Sequence, residues 1–284
     1  MSTTTQTAAQ PAPPPSGIAA SASTGSGLTF FGVLRSEWIK LRSLRSTRWS
    51  FGLVLLISLG LSAVMANAAQ PGPGFVIAEA DYGRFILSAA TFGIFFGQLI
   101  VAVLGVITVT GEYGTGMIKS TLTAVPRRLP ALAAKAIVLF VATFVVGVVS
   151  TIGAFVVAVP IFAQSGVTAS LFDPIILQGL LGGALYLALV SVFALGIGTI
   201  LRSSAGGIAV VLGVLLALPV ILSTIPAAWG PAIAPYLLSS AGTEFFVPSG
   251  MSVLQGAWPN LLVAAAWIVV SLSVAGVLLK KRDA

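Results

Sequence analysis

The sequence predicts an all-α membrane protein. It has six transmembrane helices, an amino-terminal amphipathic helix at the membrane interface, a short cytoplasmic helix between spans 2 and 3, and re-entrant elements before span 6. Three observations predict it. Of 284 residues, 57% are hydrophobic and only 7% are charged, where an average soluble domain carries about 25% charged residues. With a mean hydropathy of +1.07, the chain cannot cover a water-facing surface with ions. The charges also divide it into six long uncharged intervals. Finally, the apolar residues come in blocks rather than strict alternation, which disfavours a transmembrane β-barrel.

Residues 1–29 form an uncharged Ser/Thr/Ala/Pro/Gly tract whose run from Pro11 to Pro15 cannot pack as a helix. The tract lacks the basic and apolar regions of a signal peptide, so it reads as a disordered cytoplasmic tail. Residues 30–284 then form one membrane domain. From Phe30 to Arg48, Phe31, Leu34, Trp38 and Leu41 fall at helical spacing among Arg35, Glu37, Lys40, Arg42, Arg45 and Arg48. That pattern suits a helix lying along the cytoplasmic leaflet with its basic side chains snorkelling to phosphates. Arg35 and Arg42 project near Trp38 and spoil the stripe. A plain positive flank for the first span is the alternative.

The apolar cores of the spans lie at about 49–66, 85–110, 136–160, 175–201, 207–224 and 261–279, each close to the roughly 20 residues that a crossing helix needs. With an even number of crossings, both termini share one side. Every basic residue except Arg84 falls there, whereas Glu79, Asp81, Asp173 and Glu244 fall opposite. The positive-inside rule puts both termini in the cytoplasm of a plasma-membrane protein. No span core contains an ionisable residue, which argues against a proton-coupled carrier or a voltage sensor. Gly93–Gly97 and Gly179–Gly183 have the spacing of close helix approach, and packing within one subunit is its simplest use. Gln98 and Gln178 read as facing protein or a cavity, either lining a pathway or bonding between helices. Pro219 predicts a kink or an early end to span 5. Between Ile225 and Asn260, prolines 226, 231, 235, 248 and 259 leave apolar pieces too short to cross, hence re-entrant or interfacial helices.

The stretch from Gly111 to Lys135 is long for a link between spans. Met117, Ile118, Leu122 and Val125 recur at helix-compatible spacing before Pro126, and Arg127, Arg128 and Lys135 follow. It reads as a short helix beneath the bilayer presenting a face to a cytoplasmic partner. The alternative is a re-entry loop whose basic residues only fix topology. Gly114 to Ser120 superficially resembles a phosphate-binding loop, but Ile118 stands where such a loop needs glycine before Lys119, and a membrane helix precedes it. The chain has no His and no Cys, which excludes the usual zinc sites, a thiol nucleophile and a Ser-His-Asp triad. Glu79, Asp81 and Arg84 are the one local acid/base cluster, a weak case for catalysis. The sequence therefore predicts no catalytic residue, no metal and no cofactor held by this chain. The basic charge is spread over membrane flanks, not gathered on a soluble face, so nucleic acid is not a partner.

Two segments carry a family resemblance. Ser36-Glu37-Trp38-Ile39-Lys40-Leu41-Arg42-Ser43 before the first span resembles the connecting helix of bacterial type-2 ABC transporter permeases. Gly111-Glu112-Tyr113, Gly116-Met117-Ile118-Lys119 and Pro126-Arg127-Arg128 are similar to the coupling segment after their second span. The six-span layout matches over about residues 30–284. Gly114 stands where the family often has a basic residue, which departs from the pattern. The resemblance implies a permease subunit of an ATP-driven exporter that works with a second permease copy or paralogue in membrane lipid. A cytoplasmic ABC ATPase, carrying ATP and Mg, would drive it. It also implies that Glu112, Tyr113, Met117, Ile118, Lys119, Leu122, Pro126, Arg127 and Arg128 meet that ATPase. The competing function is a self-contained channel, secondary carrier or lipid-modifying enzyme.

Overall fold

The computed structural model describes residues 29–70, 77–114, 128–227, 229–247 and 257–281. Among these residues every regular element is helical. Six stretches are long and apolar enough to cross a membrane: Arg45–Ala68, Glu79–Gly114, Leu129–Ala163, Pro174–Leu201, Ser204–Thr224 and Trp258–Lys281. The expected tail and most of the expected coupling segment, including Met117, Ile118, Lys119, Leu122, Pro126 and Arg127, lie outside the described residues.

Helix α1 (Phe30–Ser43) starts where the Thr29 hydroxyl accepts the Gly32 amide at 3.2 Å, a side-chain cap for an otherwise orphaned donor. It stops at Leu44, whose extended backbone turns the chain into α2 (Arg45–Ala68), the first span. The second span comes in two pieces, α3 (Tyr82–Thr91) and α4 (Ile94–Gly114), interrupted at Phe92–Gly93. Gly93 explains the interruption's position. A Cβ there would lie 2.5 Å from Ser58 Cα, so α4 begins with its backbone directly against α2.

Helix α5 (Arg128–Ala163) forms the third span and α6 (Pro174–Leu201) the fourth. Pro174 occupies the first turn of α6, where a missing N–H costs nothing. Helix α6 is the centre of the bundle, packed by α4, α5 and the last span. Small residues permit this: a Cβ on Gly105 would fall 2.3 Å from the Ser191 carbonyl, and one on Gly147 would fall 2.9 Å from Ala184 Cα. Gly179 and Gly183 likewise receive Leu87 and Ile94, so the second glycine pair packs within this chain. Ser62 donates to the Ala154 carbonyl at 2.8 Å and Thr151 to that of Leu180 at 3.1 Å, pinning α5 to its neighbours on both sides.

The fifth span joins α7 (Ser204–Leu212) to α8 (Leu218–Thr224) through a π-helical turn, Gly213–Ala217. Pro219 neither ends the span nor breaks it. A proline ring crowds the carbonyl four residues earlier, and the wider π turn just before it makes the room. Short helices α9 (Trp229–Ile233) and α10 (Leu238–Thr243) follow. Leu238, Ala241, Phe245 and Phe246 are buried, so this segment packs on the bundle as short helical pieces. The last span is α11 (Ala257–Lys281).

Candidate functional site

The residues flanking the 115–127 segment come together in an ion network. Residues Val33, Glu37 and Leu41 form the buried face of α1. This face is the one turned to the rest of the chain, about one position round the helix from the expected apolar stripe. Leu41 is buried, but Phe31 and Trp38 are exposed, and Arg42 lies over the Trp38 ring at 6.0 Å. Glu37 is turned inward, where it meets Lys135 from elsewhere in the chain and Lys40 of its own helix. Its Oε2 accepts Lys135 Nζ at 2.5 Å and its Oε1 accepts Lys40 Nζ at 2.8 Å. Glu112, in the last turn of α4, takes Lys135 at 2.7 Å and Lys40 at 3.3 Å through one oxygen. Lys135 sits in α5, so one ammonium group joins three helices.

Two carboxylates and two ammonium groups leave this cluster neutral. Such a cluster is sustainable at low dielectric only because each charge meets opposite charges at hydrogen-bond range. Burial pushes the Glu37 carboxyl up, but Lys135 and then Lys40 outweigh it and hold it below its ordinary value. Burial pulls Lys40 down, yet Glu37 and Glu112 leave it above its ordinary value. A cleft of about 340 Å³ adjoins the network, walled by Leu44, Ile107, Val138 and Leu139. Next to Glu112, the Tyr113 ring receives the Arg202 guanidinium at 5.1 Å, and Ser204 donates to Thr110 at 2.7 Å. Thus the end of α4 is also tied to the α6–α7 turn, where Arg202 adopts a left-handed backbone with φ of 53°.

A model of the ABC-2 family transporter protein matches residues 33–224. The chain belongs to that family. It is a multi-pass permease component of an ABC transporter, a class that associates with an ATPase. The match takes in α1, the ion network and the first five spans, and ends before α9, α10 and α11. No curated protein matches the chain.

In this ABC-2 permease the residues expected on the interfacial helix and in the coupling segment group differently. Glu37, Lys40 and Glu112 meet in the network, Arg35 and Arg42 are exposed, and the Arg128 side chain lies outside the described residues. Gln98 is buried: its amide donates to the Phe95 carbonyl at 3.0 Å and its Oε1 accepts the Tyr186 hydroxyl. Gln178, by contrast, is exposed on this chain. Glu79, Asp81 and Arg84 are exposed as well, and no metal-binding cluster occurs among the described residues. Sequence reasoning missed the roles of Lys135, Tyr186 and Arg202. A signal for the first existed, because Glu37 and Glu112 are, with Asp283, the sole acids on the basic-rich side. Acids placed there need cationic partners. The arrangement ties α1 to the end of α4 and the first turns of α5.

Proposed function

We propose that this chain is the membrane subunit of an ATP-driven exporter. Two copies, or one copy and a paralogue, enclose the pathway, and a separate cytoplasmic ATPase drives them through the segment from Gly111 to Lys135. Both termini face the cytoplasm of the plasma membrane. The observation that carries the reading is the Glu37–Lys135–Glu112 network, because it ties α1 to the two helix ends that the 115–127 segment joins. Closure of the ATPase pulls on that segment. The pull reaches α4 at Glu112 and α5 at Lys135, and the shared ammonium group makes α1 follow. The Tyr113–Arg202 and Thr110–Ser204 contacts extend the displacement to the turn before span 5. A rigid-body shift of packed helices between inward-open and outward-open states results.

Energy from a partner suits the absence of any charge in the span cores. The test is co-purification with the ATPase of an adjacent reading frame that bears a Walker A motif. Replacing Met117 and Ile118 together by Asp should abolish association while the permease stays folded. Glu112 is left intact, because its loss would unpair Lys135 and confuse docking with unfolding. Association that survives the Met117/Ile118 replacement overturns docking through this segment. Transport by the chain alone would establish the self-contained channel or carrier instead.

A further inference from the structure

The ion network occupies one end of the bundle; the opposite half contains a second, uncharged polar site. Phe95 and Gln98 from the first turns of α4, Tyr186 from α6 and Ser239 from α10 line a cavity of about 270 Å³. Ser240 and Thr243 of α10 complete the polar side, and the π-turned part of span 5, with Leu216 and Pro219, forms the apolar wall. Lining by Gln, Tyr and Ser is unusual in a chain whose spans are otherwise nearly all apolar. Three details separate it from ordinary helix packing. The Ser239 hydroxyl is buried and has no hydrogen-bond partner among the described residues. The Tyr186 hydroxyl donates to Gln98 Oε1 and the Gln98 amide donates to the Phe95 carbonyl, which holds the amide of Gln98 in place at the cavity wall. The wall opposite is the π turn that accommodates Pro219, and it widens span 5 beside the cavity.

We infer that this cavity binds the head of an uncharged, largely apolar amphiphile whose polar group accepts hydrogen bonds, such as an alcohol, ester or amide. This rests on the exporter reading and names its cargo class. Gln98 and Ser239 supply donors to that head group, and no formally charged side chain lines the cavity. A carboxylate or ammonium head would enter unpaired, at the high cost of burying a lone charge. The size limits the occupant as well: about 270 Å³ holds a head group and a short length of chain, and the rest of the molecule must extend outside. The rim permits that. Leu216 and Val220, which line the cavity, and the nearby Ile221 are exposed, so the tail can leave along span 5 while the head is held inside.

The test uses the full chain in lipid nanodiscs, irradiated with three diazirine probes of equal chain length: an alcohol, a carboxylate and a hydrocarbon. The alcohol should label peptides containing Phe95–Gln98 and Ser239–Thr243 saturably, and non-photoreactive decanol should compete with it. Ser239→Ala and Gln98→Leu should each lower its labelling about fivefold, the scale of one lost hydrogen bond. Leu216→Trp, at a half-exposed rim position, should fill the cavity and abolish labelling at an unchanged melting temperature. Equal labelling by the hydrocarbon, preferential labelling by the carboxylate, or indifference to Leu216→Trp overturns the site. A chain that labels as described but captures no ATPase keeps the site and loses the exporter; the reverse result does the opposite.

Discussion

Lys135 is nine-tenths buried and bonds two carboxylates on different helices, whereas the Lys40 side chain keeps 26% of its surface. Removing one member of a buried ion cluster leaves uncompensated charge and costs about 3–5 kcal/mol, and the cost falls toward about 1 kcal/mol as water reaches the pair. Lys135→Met should therefore lower the melting temperature in detergent far more than Lys40→Met, and equal effects would contradict the geometry. The pH dependence has a definite sign. Glu37 titrates below its ordinary 4.5 in the folded chain, so its stabilisation is complete above that value and is lost as pH falls through the lower folded value. Lys40 titrates above its ordinary 10.5, so its contribution is complete below that value and disappears only as pH rises through the higher one. Glu37→Gln should remove the part of the acid-side loss of melting temperature that this carboxyl causes and leave the neutral plateau flat. Individual charges were legible in the sequence, but their pairing was not. Glu37 stands far from Lys135 in the chain, and the helical periodicity of α1 carries no information about a partner on another helix.

The helices themselves were easier to read than their partners. Uncharged length marks a span wherever water must be excluded, so each predicted core lies within an observed span. Observed ends extend further, since the final turns carry charged or small residues that a hydropathy window discards: Arg45 opens α2 and Glu112 lies in the last turn of α4. The interruption at Phe92–Gly93 and the π turn at Gly213–Ala217 had no hydropathy signature, because both are backbone responses to packing and to a proline ring. Glycines show what can be predicted at this scale. Gly105 meets the Ser191 carbonyl at 2.3 Å from where its Cβ would be, while Gly52 meets nothing within 4 Å. Since a carbonyl in a packed helix cannot swing away, Gly105→Ala forces α4 from α6, with an overpacking cost of about 1–3 kcal/mol or more. Gly52→Ala should instead gain up to about 1 kcal/mol from helix propensity. Thermal melts of the two variants should move in opposite directions, and a harmless Gly105→Ala would show that the central helices are not in backbone contact.

At the scale of the whole molecule, the distribution of charge and the packing give independent descriptions of the same object. Spans 1, 5 and 6 lie at the periphery, each with only 22% of its most apolar window buried in the chain, whereas span 4 is 78% buried. Their outward apolar faces require lipid or a second subunit. The basic flanks collect at the end of the bundle that holds the Glu37–Lys135 network, and the acids Glu79, Asp81 and Asp173 collect at the other. If the positive end faces the cytoplasm, the two ends must differ in their access to a reagent that cannot cross the membrane. The chain contains no cysteine, so single substitutions report without background. Ala80 and Ser165 are exposed near one end, Ser46 and Lys281 near the other. Intact cells treated with an impermeant maleimide should label Ala80→Cys and Ser165→Cys at once, and Ser46→Cys and Lys281→Cys only after the membrane is opened. The reverse pattern would invert the permease and place the α1 network outside the cell, where no ATPase could act on it. Labelling of all four before lysis would mean that the chain does not span as six helices.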